Sequence, residues 1–298
     1  MRKRQMYAAG YLFLSPWLIG FVLLYLGPIA ASLYLSFTRY DLLTPPDWIG
    51  LANYRQMFTD DFRLGDSVRV TFRYVLLSVP IRLAFALGLA LLLNQGMRLL
   101  GLYRTIYYIP SLLGGSVAIS ILWRQVFDKT GLFNRMLALV GIEGPNWIAD
   151  PKYAIFSLVG LSVWQFGAVM IIFLAGLKQM PQELYEAATV DGAGAIRKFA
   201  SITLPLLTPV IFFNLTLSLI GAFQTFTKAF IISGGTGGPI NSTLLYSLYL
   251  YIKGFNFLEM GYAAAMAWLL LVIVAVMTGL LFLSSRYWVF YADGGSRK

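Results

Sequence analysis

The sequence predicts an all-α protein that crosses a membrane six times, and three observations lead there. Hydrophobic residues make up 58% of the chain and charged ones only 12%. Mean hydropathy is +0.71, far from the mixture a soluble domain carries. The apolar residues also gather into windows of about 20, the length that spans a hydrocarbon core. A bilayer centre offers no water to backbone groups, so isolated apolar runs satisfy their hydrogen bonds internally, as helices.

The first window covers 11–36. It follows Met1-Arg2-Lys3-Arg4, as a secretory signal would, but the run is too long for a signal's apolar region and is read as a retained first helix. The loop that follows contains Pro45-Pro46, Trp48 and Tyr54, and has room for short helices but not for a domain of its own. The second window, 71–93, holds Arg82 near its middle. Exposure of such a charge to lipid costs at least roughly 2.5 kcal/mol on insertion scales. Arg82 is therefore expected to face a partner subunit or a polar cavity, and a role in binding an acidic solute is the sharper form of that expectation. Windows 107–126, 153–177, 204–232 and 261–282 complete the set, in one transmembrane domain over 1–298. No internal repeat or low-complexity stretch is evident.

Orientation follows from basic residues. The amino tail carries Arg2, Lys3 and Arg4, the loop after the second window Arg98 and Arg104, and the loop after the fourth Lys178, Arg197 and Lys198. The carboxyl tail adds Arg286, Arg297 and Lys298. On the other side Arg39, Arg55, Arg63, Lys129 and Lys152 are spread over longer loops with Asp41, Asp47, Asp60, Asp61 and Asp66. Density of positive charge thus places both termini in the cytoplasm. The net charge of +10 is read as membrane orientation and not as a nucleic-acid surface, because the basic residues alternate with apolar blocks.

The chain has no cysteine and no histidine. Thiolate chemistry is thereby excluded, along with the commonest general base and metal ligand. No catalytic residue and no metal site are expected. The glycine-rich stretch from Gly234 to Pro239 is not followed by the lysine of a phosphate-binding loop.

The loop at 178–205 is the informative one. Pro181 suits a helix start, and Glu183 and Glu186 lie in the first turns, where carboxylates favour the helix dipole. A short helix is expected from Pro181 to about Val190, ended by a turn at Gly192 and Gly194. A second amphipathic helix would carry Ile196, Phe199 and Ile202 on one face before Pro205 opens the fifth span. Ala187 and Ala188 leave one face of the short helix without bulk, open to close approach by another protein's groove, while Glu186 offers a charge to it. The same features also suit an amphipathic elbow resting on the bilayer.

The spacing Glu186-Ala187-Ala188, three residues, Gly192, nine residues, Ile202-Thr203-Leu204-Pro205 resembles the EAA loop of binding-protein-dependent ABC importers. Ser15-Pro16-Trp17-Leu18-Ile19-Gly20, Gly50-Leu51-Ala52-Asn53-Tyr54, Arg104-Thr105 with Ile109-Pro110, and the Ser233 to Thr243 stretch are similar to the first permease subunit of carbohydrate importers of the maltose-transporter type. The resemblance implies a type I importer permease fold in a bacterial inner membrane. It implies Glu186, Ala187, Ala188, Gly192 and Pro205 as the coupling positions toward an ATPase. It also implies the partners: a second homologous permease, two ATPase subunits that bind the ATP and magnesium, and an extracytoplasmic solute-binding protein. No cofactor is expected in this chain itself. Matched onto the family's sugar site, the candidates are Trp164, Gln165 and Gly167 in the fourth span and Gln224 and Thr225 in the fifth. An aromatic plane beside amides and hydroxyls suits a sugar; interhelical polar packing explains the same residues, and Asn214 and Ser218 are polar positions of the same kind. The alternatives are a permease for glycerol phosphate or another small polar solute, and a secondary transporter that works without ATP.

Overall fold

The computed structural model describes residues 2–95 and 100–290. Arg98, Arg297 and Lys298, counted above toward the cytoplasmic side, lie outside the described residues. Among the described residues four helices are long and apolar enough to cross a membrane, or six if each of two bent helix pairs is one span. In chain order the helices are α1 (Arg2–Phe21), α2 (Gly27–Ser36), α3 (Ala52–Thr59), α4 (Phe62–Leu93), α5 (Leu100–Leu113), α6 (Val117–Val126) and α7 (Leu132–Leu139). They continue with α8 (Ala154–Trp164), α9 (Gly167–Lys178), α10 (Gln182–Val190), α11 (Ala195–Lys198), α12 (Leu204–Phe223), α13 (Thr227–Ser233), α14 (Tyr246–Tyr251) and α15 (Met260–Trp288).

The first, second and sixth windows each fall within continuous helical runs, and the other three are corrected by the structure. The window 107–126 is two helices, α5 and α6, meeting at 99°. The break lies at Gly114-Gly115, and Ser116 restarts the helix by accepting the Ile119 N–H at 3.2 Å. The window 153–177 is α8 and α9, bent by 45° at Gln165 and Phe166. The window 204–232 ends early, at Phe223, and α13 follows separately.

Pro205 does not open a helix. The chain is helical from Ala195 through Phe223, and a π-turn, Phe199–Thr203, sits immediately before the proline. Proline has no N–H and clashes with the carbonyl four residues back. One extra residue in the preceding turn relieves this, with the Leu204 N–H donating to the Phe199 carbonyl five residues back. The same device precedes Pro28, where the Gly27 N–H donates to the Val22 carbonyl.

The chain divides into two compact units. The first comprises residues up to Phe62 and Leu250–Val272. Its apolar run Tyr11–Ser36 has no buried share, as suits a helix whose sides meet lipid. A short antiparallel ribbon pairs β1 (Thr38–Arg39) with β2 (Asp47–Trp48). Asn53 ties it to the end of α2, its Nδ2 donating to the carbonyls of Ser36 and Thr38, each at 2.9 Å. The motif Gly50-Leu51-Ala52-Asn53-Tyr54 is thereby explained: Gly50 turns the chain at φ +59°, and α3 then carries Asn53 back to the ribbon.

The second unit comprises Arg63–Tyr249 and residues from Ile273 on. Its core forms where α5 and α12 pack on α9 and α13 packs on α6 and α8. Buried positions on α4 recur at helical spacing, Thr71, Tyr74, Val75, Ser78, Val79, Leu83, Ala86 and Ala90. Arg82 falls on that stripe.

Candidate functional site

The first region is the loop that carries the EAA spacing. Pro181 is in extended conformation at the start of α10, with Glu183 in the first turn. At the other end the Ala193 N–H donates to the Ala188 carbonyl at 2.8 Å, closing the helix through Gly192 at φ +74°. This left-handed position favours glycine. The elbow is braced from inside. The Tyr185 hydroxyl shares a hydrogen bond with Thr203 Oγ1 at 2.9 Å, and Lys198 Nζ donates to Thr189 Oγ1 at 2.7 Å.

The elbow's outer surface is apolar. Val190 is 89% exposed and Ile196 85%, with Leu184 also exposed. Glu186 and Ala187 are exposed and Ala188 is half-buried. Ile196 does not share a face with Phe199 and Ile202, both half-buried. The π-turn from Phe199 inserts an extra residue per turn, which rotates those side chains out of register with Ile196. Sequence reading placed the contact surface on the alanines and missed Val190 and Ile196, whose signal was apolar character at a turn otherwise built of Asp, Gly and Ala. Below the elbow lies a cavity of about 670 Å³ lined by Asn94, Lys178, Gln182, Tyr185, Glu186 and Thr189, among others.

The second region lies within the spans. A smaller cavity, about 120 Å³, is lined by Tyr74, Ser78, Val79 and Arg82 from α4, Ser162 from α8, Ser218, Gly221 and Ala222 from α12, then Thr225 and Lys228. Arg82 Nη2 donates to the Gln165 carbonyl at 2.9 Å. That carbonyl is free because the helix breaks there, and a helix carboxyl end favours a cation. Lys228 Nζ donates to Ser162 Oγ at 3.1 Å, and Ser162 also shares a hydrogen bond with the Tyr74 hydroxyl. Thr225 Oγ1 donates to the Gly221 carbonyl at 3.2 Å.

Of the sequence-derived candidates, the structure brings Arg82, Thr225 and Ser218 to this cavity. The others stand elsewhere. Trp164 is half-buried with its ring beside Trp123 at 5.8 Å. Gln165 Nε2 donates to the Gly114 carbonyl at 2.7 Å, pinning the break in one helix pair to the break in the other. A Cβ at Gly167 would lie 2.2 Å from the Tyr107 carbonyl oxygen and 2.8 Å from Tyr108 Cα, so this glycine serves the close approach of α9 to α5. Gln224 is exposed at the end of α12. Lys228 is the residue the sequence reading overlooked. Its signal was present, since an ionisable residue inside an apolar window is itself a functional pointer, but the window was judged on its average.

Residues 83–288 match the family model described as the binding-protein-dependent transport system inner membrane component. The chain is 54% identical over 284 residues to the probable ABC transporter permease protein YesP of Bacillus subtilis (strain 168), covering 95% of this chain and 92% of that one. It is 34% identical over 278 residues to the arabinooligosaccharides transport system permease protein AraP of the same organism, covering 91% and 86%. Among solved structures it is similar to a chain of a bacterial alginate ABC transporter in complex with an alginate pentasaccharide-bound periplasmic protein. That likeness has a TM-score of 0.81 and 21% identity, and covers 96% of each chain.

Proposed function

The chain belongs to the family of inner membrane components of binding-protein-dependent transport systems, and on that premise we propose that it forms half of the translocation path of an ABC importer for a saccharide. The saccharide comes from the relatives: the name of AraP specifies arabinooligosaccharides. The other half of the path is a second permease of the same kind. The energy comes from two cytoplasmic ATPase subunits, which hold ATP and magnesium, and the cargo comes from an extracytoplasmic binding protein.

The observation that carries the coupling role is the elbow's outward apolar surface. Val190 and Ile196 project from a helix and turn that are hydrogen-bonded on their inner side. Apolar side chains held this far from any core are explained by a partner that covers them. When the ATPases close on ATP, their clefts draw α10 inward. Because α11, the π-turn and α12 form one helical run, that movement passes directly into the fifth span and rocks the path from inward-facing to outward-facing. Hydrolysis resets it. Both termini and the elbow are cytoplasmic in this reading.

The test is co-purification of the ATPase encoded beside this chain, comparing wild type with the double variant Val190→Asp/Ile196→Asp and with Glu186→Ala. The double variant is expected to retain the ATPase at less than about a tenth of the wild-type level, since two well-buried apolar contacts are worth more than 1.4 kcal/mol. Its amount in the membrane should be unchanged. Persistent saccharide uptake with no ATPase bound to the wild type would overturn the reading in favour of an ATP-independent transporter.

A further inference from the structure

The importer reading leaves one arrangement unexplained: two cations inside the spans with no anion beside them. Arg82 and Lys228 line the same cavity. Among the described residues the ion pairs are Arg69 with Asp66 and Lys253 with Glu259; neither intramembrane cation has a carboxylate within that reach. Resting on the importer reading, we propose that the cavity is a subsite for the anionic group of an acidic saccharide, held between the Arg82 guanidinium and the Lys228 ammonium.

The donors support it. A guanidinium has five N–H donors and an ammonium three. Arg82 spends one at Nη2 on the Gln165 carbonyl, while its Nε is buried with no partner. Lys228 donates to Ser162 Oγ and has donors to spare. The end of α8 accounts for one cation, by offering Arg82 a carbonyl at the negative end of a helix. It does not account for the second. Two like charges facing one small space raise each other's energy, and an anion between them reverses the sign of both interactions. Charge-assisted hydrogen bonds to an oxyanion would satisfy the donors left over, and the hydroxyls of Thr225 and Ser218 line the same space.

Size limits the ligand. A volume of about 120 Å³ holds the equivalent of roughly four waters at about 30 Å³ each. That is room for a carboxylate or sulfonate and the carbon that bears it, and too little for a whole sugar ring. The cavity is thus a place where an acidic substituent docks while the rest of the saccharide lies along the path. A neutral saccharide has no group that would compensate either cation, which makes this a determinant of specificity.

The experiment uses the complete importer reconstituted in proteoliposomes with its binding protein. ATP-dependent uptake is measured for galacturonate, glucuronate and mannuronate oligosaccharides of two to four rings, their methyl esters, a sulfonated glycoside, and neutral oligosaccharides. Wild type is expected to favour the acids over their esters by at least about tenfold, the scale of one charge-assisted hydrogen bond. Arg82→Gln and Lys228→Met should each remove most of that preference, and Arg82→Lys and Lys228→Arg should restore much of it. Because Arg82→Gln also forfeits the bond to Gln165, Lys228→Met on the short α13 provides the arm least exposed to misfolding, with melting temperature as the control. Uptake of the sulfonated glycoside alone among the acids keeps the anionic subsite and identifies its oxyanion. Equal uptake of acids, esters and neutral saccharides by the wild type overturns the subsite and leaves the importer standing. Equal loss for acidic and neutral cargo in Lys228→Met overturns it as well. If no saccharide of any charge is carried, the saccharide reading itself fails and the subsite with it.

Discussion

The elbow around α10 and the cavity around Arg82 each reverse the usual distribution of polarity, and they do so in opposite senses. The elbow holds apolar side chains outward, with Val190 and Ile196 almost fully exposed; the cavity holds Arg82 and Lys228 inward, among apolar helices. Both arrangements cost free energy in the isolated chain. The difference between them shows what each is for. A macromolecule can cover a protruding apolar corner, whereas only something small and charged can reach an interior pair of cations. The elbow is correspondingly a contiguous stretch with open space around its turn, and the cavity is walled by tightly packed helices.

That contrast can be broken most readily at two glycines. At Gly167 an added Cβ would meet backbone atoms of α5, the Tyr107 oxygen at 2.2 Å and Tyr108 Cα at 2.8 Å. Backbone cannot rotate away as a side chain would, so α9 and α5 must separate. Overpacking of this kind costs typically about 1–3 kcal/mol, and Gly167→Ala is expected at the upper end. The complex in detergent should melt several degrees lower, and uptake should fall for every cargo, acidic or neutral. A wild-type melting temperature would mean that the helices around the cavity are not closely packed.

Gly192→Ala is the matching substitution in the elbow, and its effect should be smaller in stability. Nothing lies within 4 Å of the added Cβ, so only the φ of +74° resists it. The left-handed conformation costs roughly 1–2 kcal/mol for a residue with a side chain. The expected signature is a small shift in melting temperature with a larger loss of saccharide-stimulated ATP hydrolysis, because the turn sets the angle at which α10 meets its partner. Equal losses of stability and coupling would erase the distinction between the two regions.

How much of each region was legible in the sequence follows from the same contrast. The elbow is local: Pro181, Glu183, Gly192 and the spacing to Pro205 lie within one short stretch, and α10 begins and ends within a residue of expectation. Only the π-turn was missed, and with it the register of Phe199 and Ile202. The first span was read over its full length, 11–36. The breaks at Gly114 and Gln165 were not visible, because apolar composition continues unbroken across both, and what bends the chain is a contact between them, Gln165 Nε2 to the Gly114 carbonyl. The cavity is assembled from residues as far apart as Tyr74 and Lys228. No window in the sequence contains it, and only the isolated charges within apolar runs point to it.

The smallest effect belongs to the brace between the elbow and the fifth span. Tyr185→Phe removes the hydrogen bond to Thr203 Oγ1 at 2.9 Å and keeps the ring. Thr203 is buried, and its remaining contact is the Lys198 carbonyl at 3.5 Å, so the loss should be about 0.5–1.5 kcal/mol. Val190 and Ile196 are untouched, and the ATPase should remain bound. What weakens is the mechanical connection: an inward pull on α10 is shared less firmly with α12, and saccharide carried per ATP hydrolysed is expected to fall by about two- to tenfold, the factor that such an energy corresponds to. Loss of ATPase binding in Tyr185→Phe as severe as in Val190→Asp/Ile196→Asp would assign Tyr185 to the docking surface. Retention of binding with a lowered transport ratio would separate the two tasks of the elbow, holding the partner and passing its movement on.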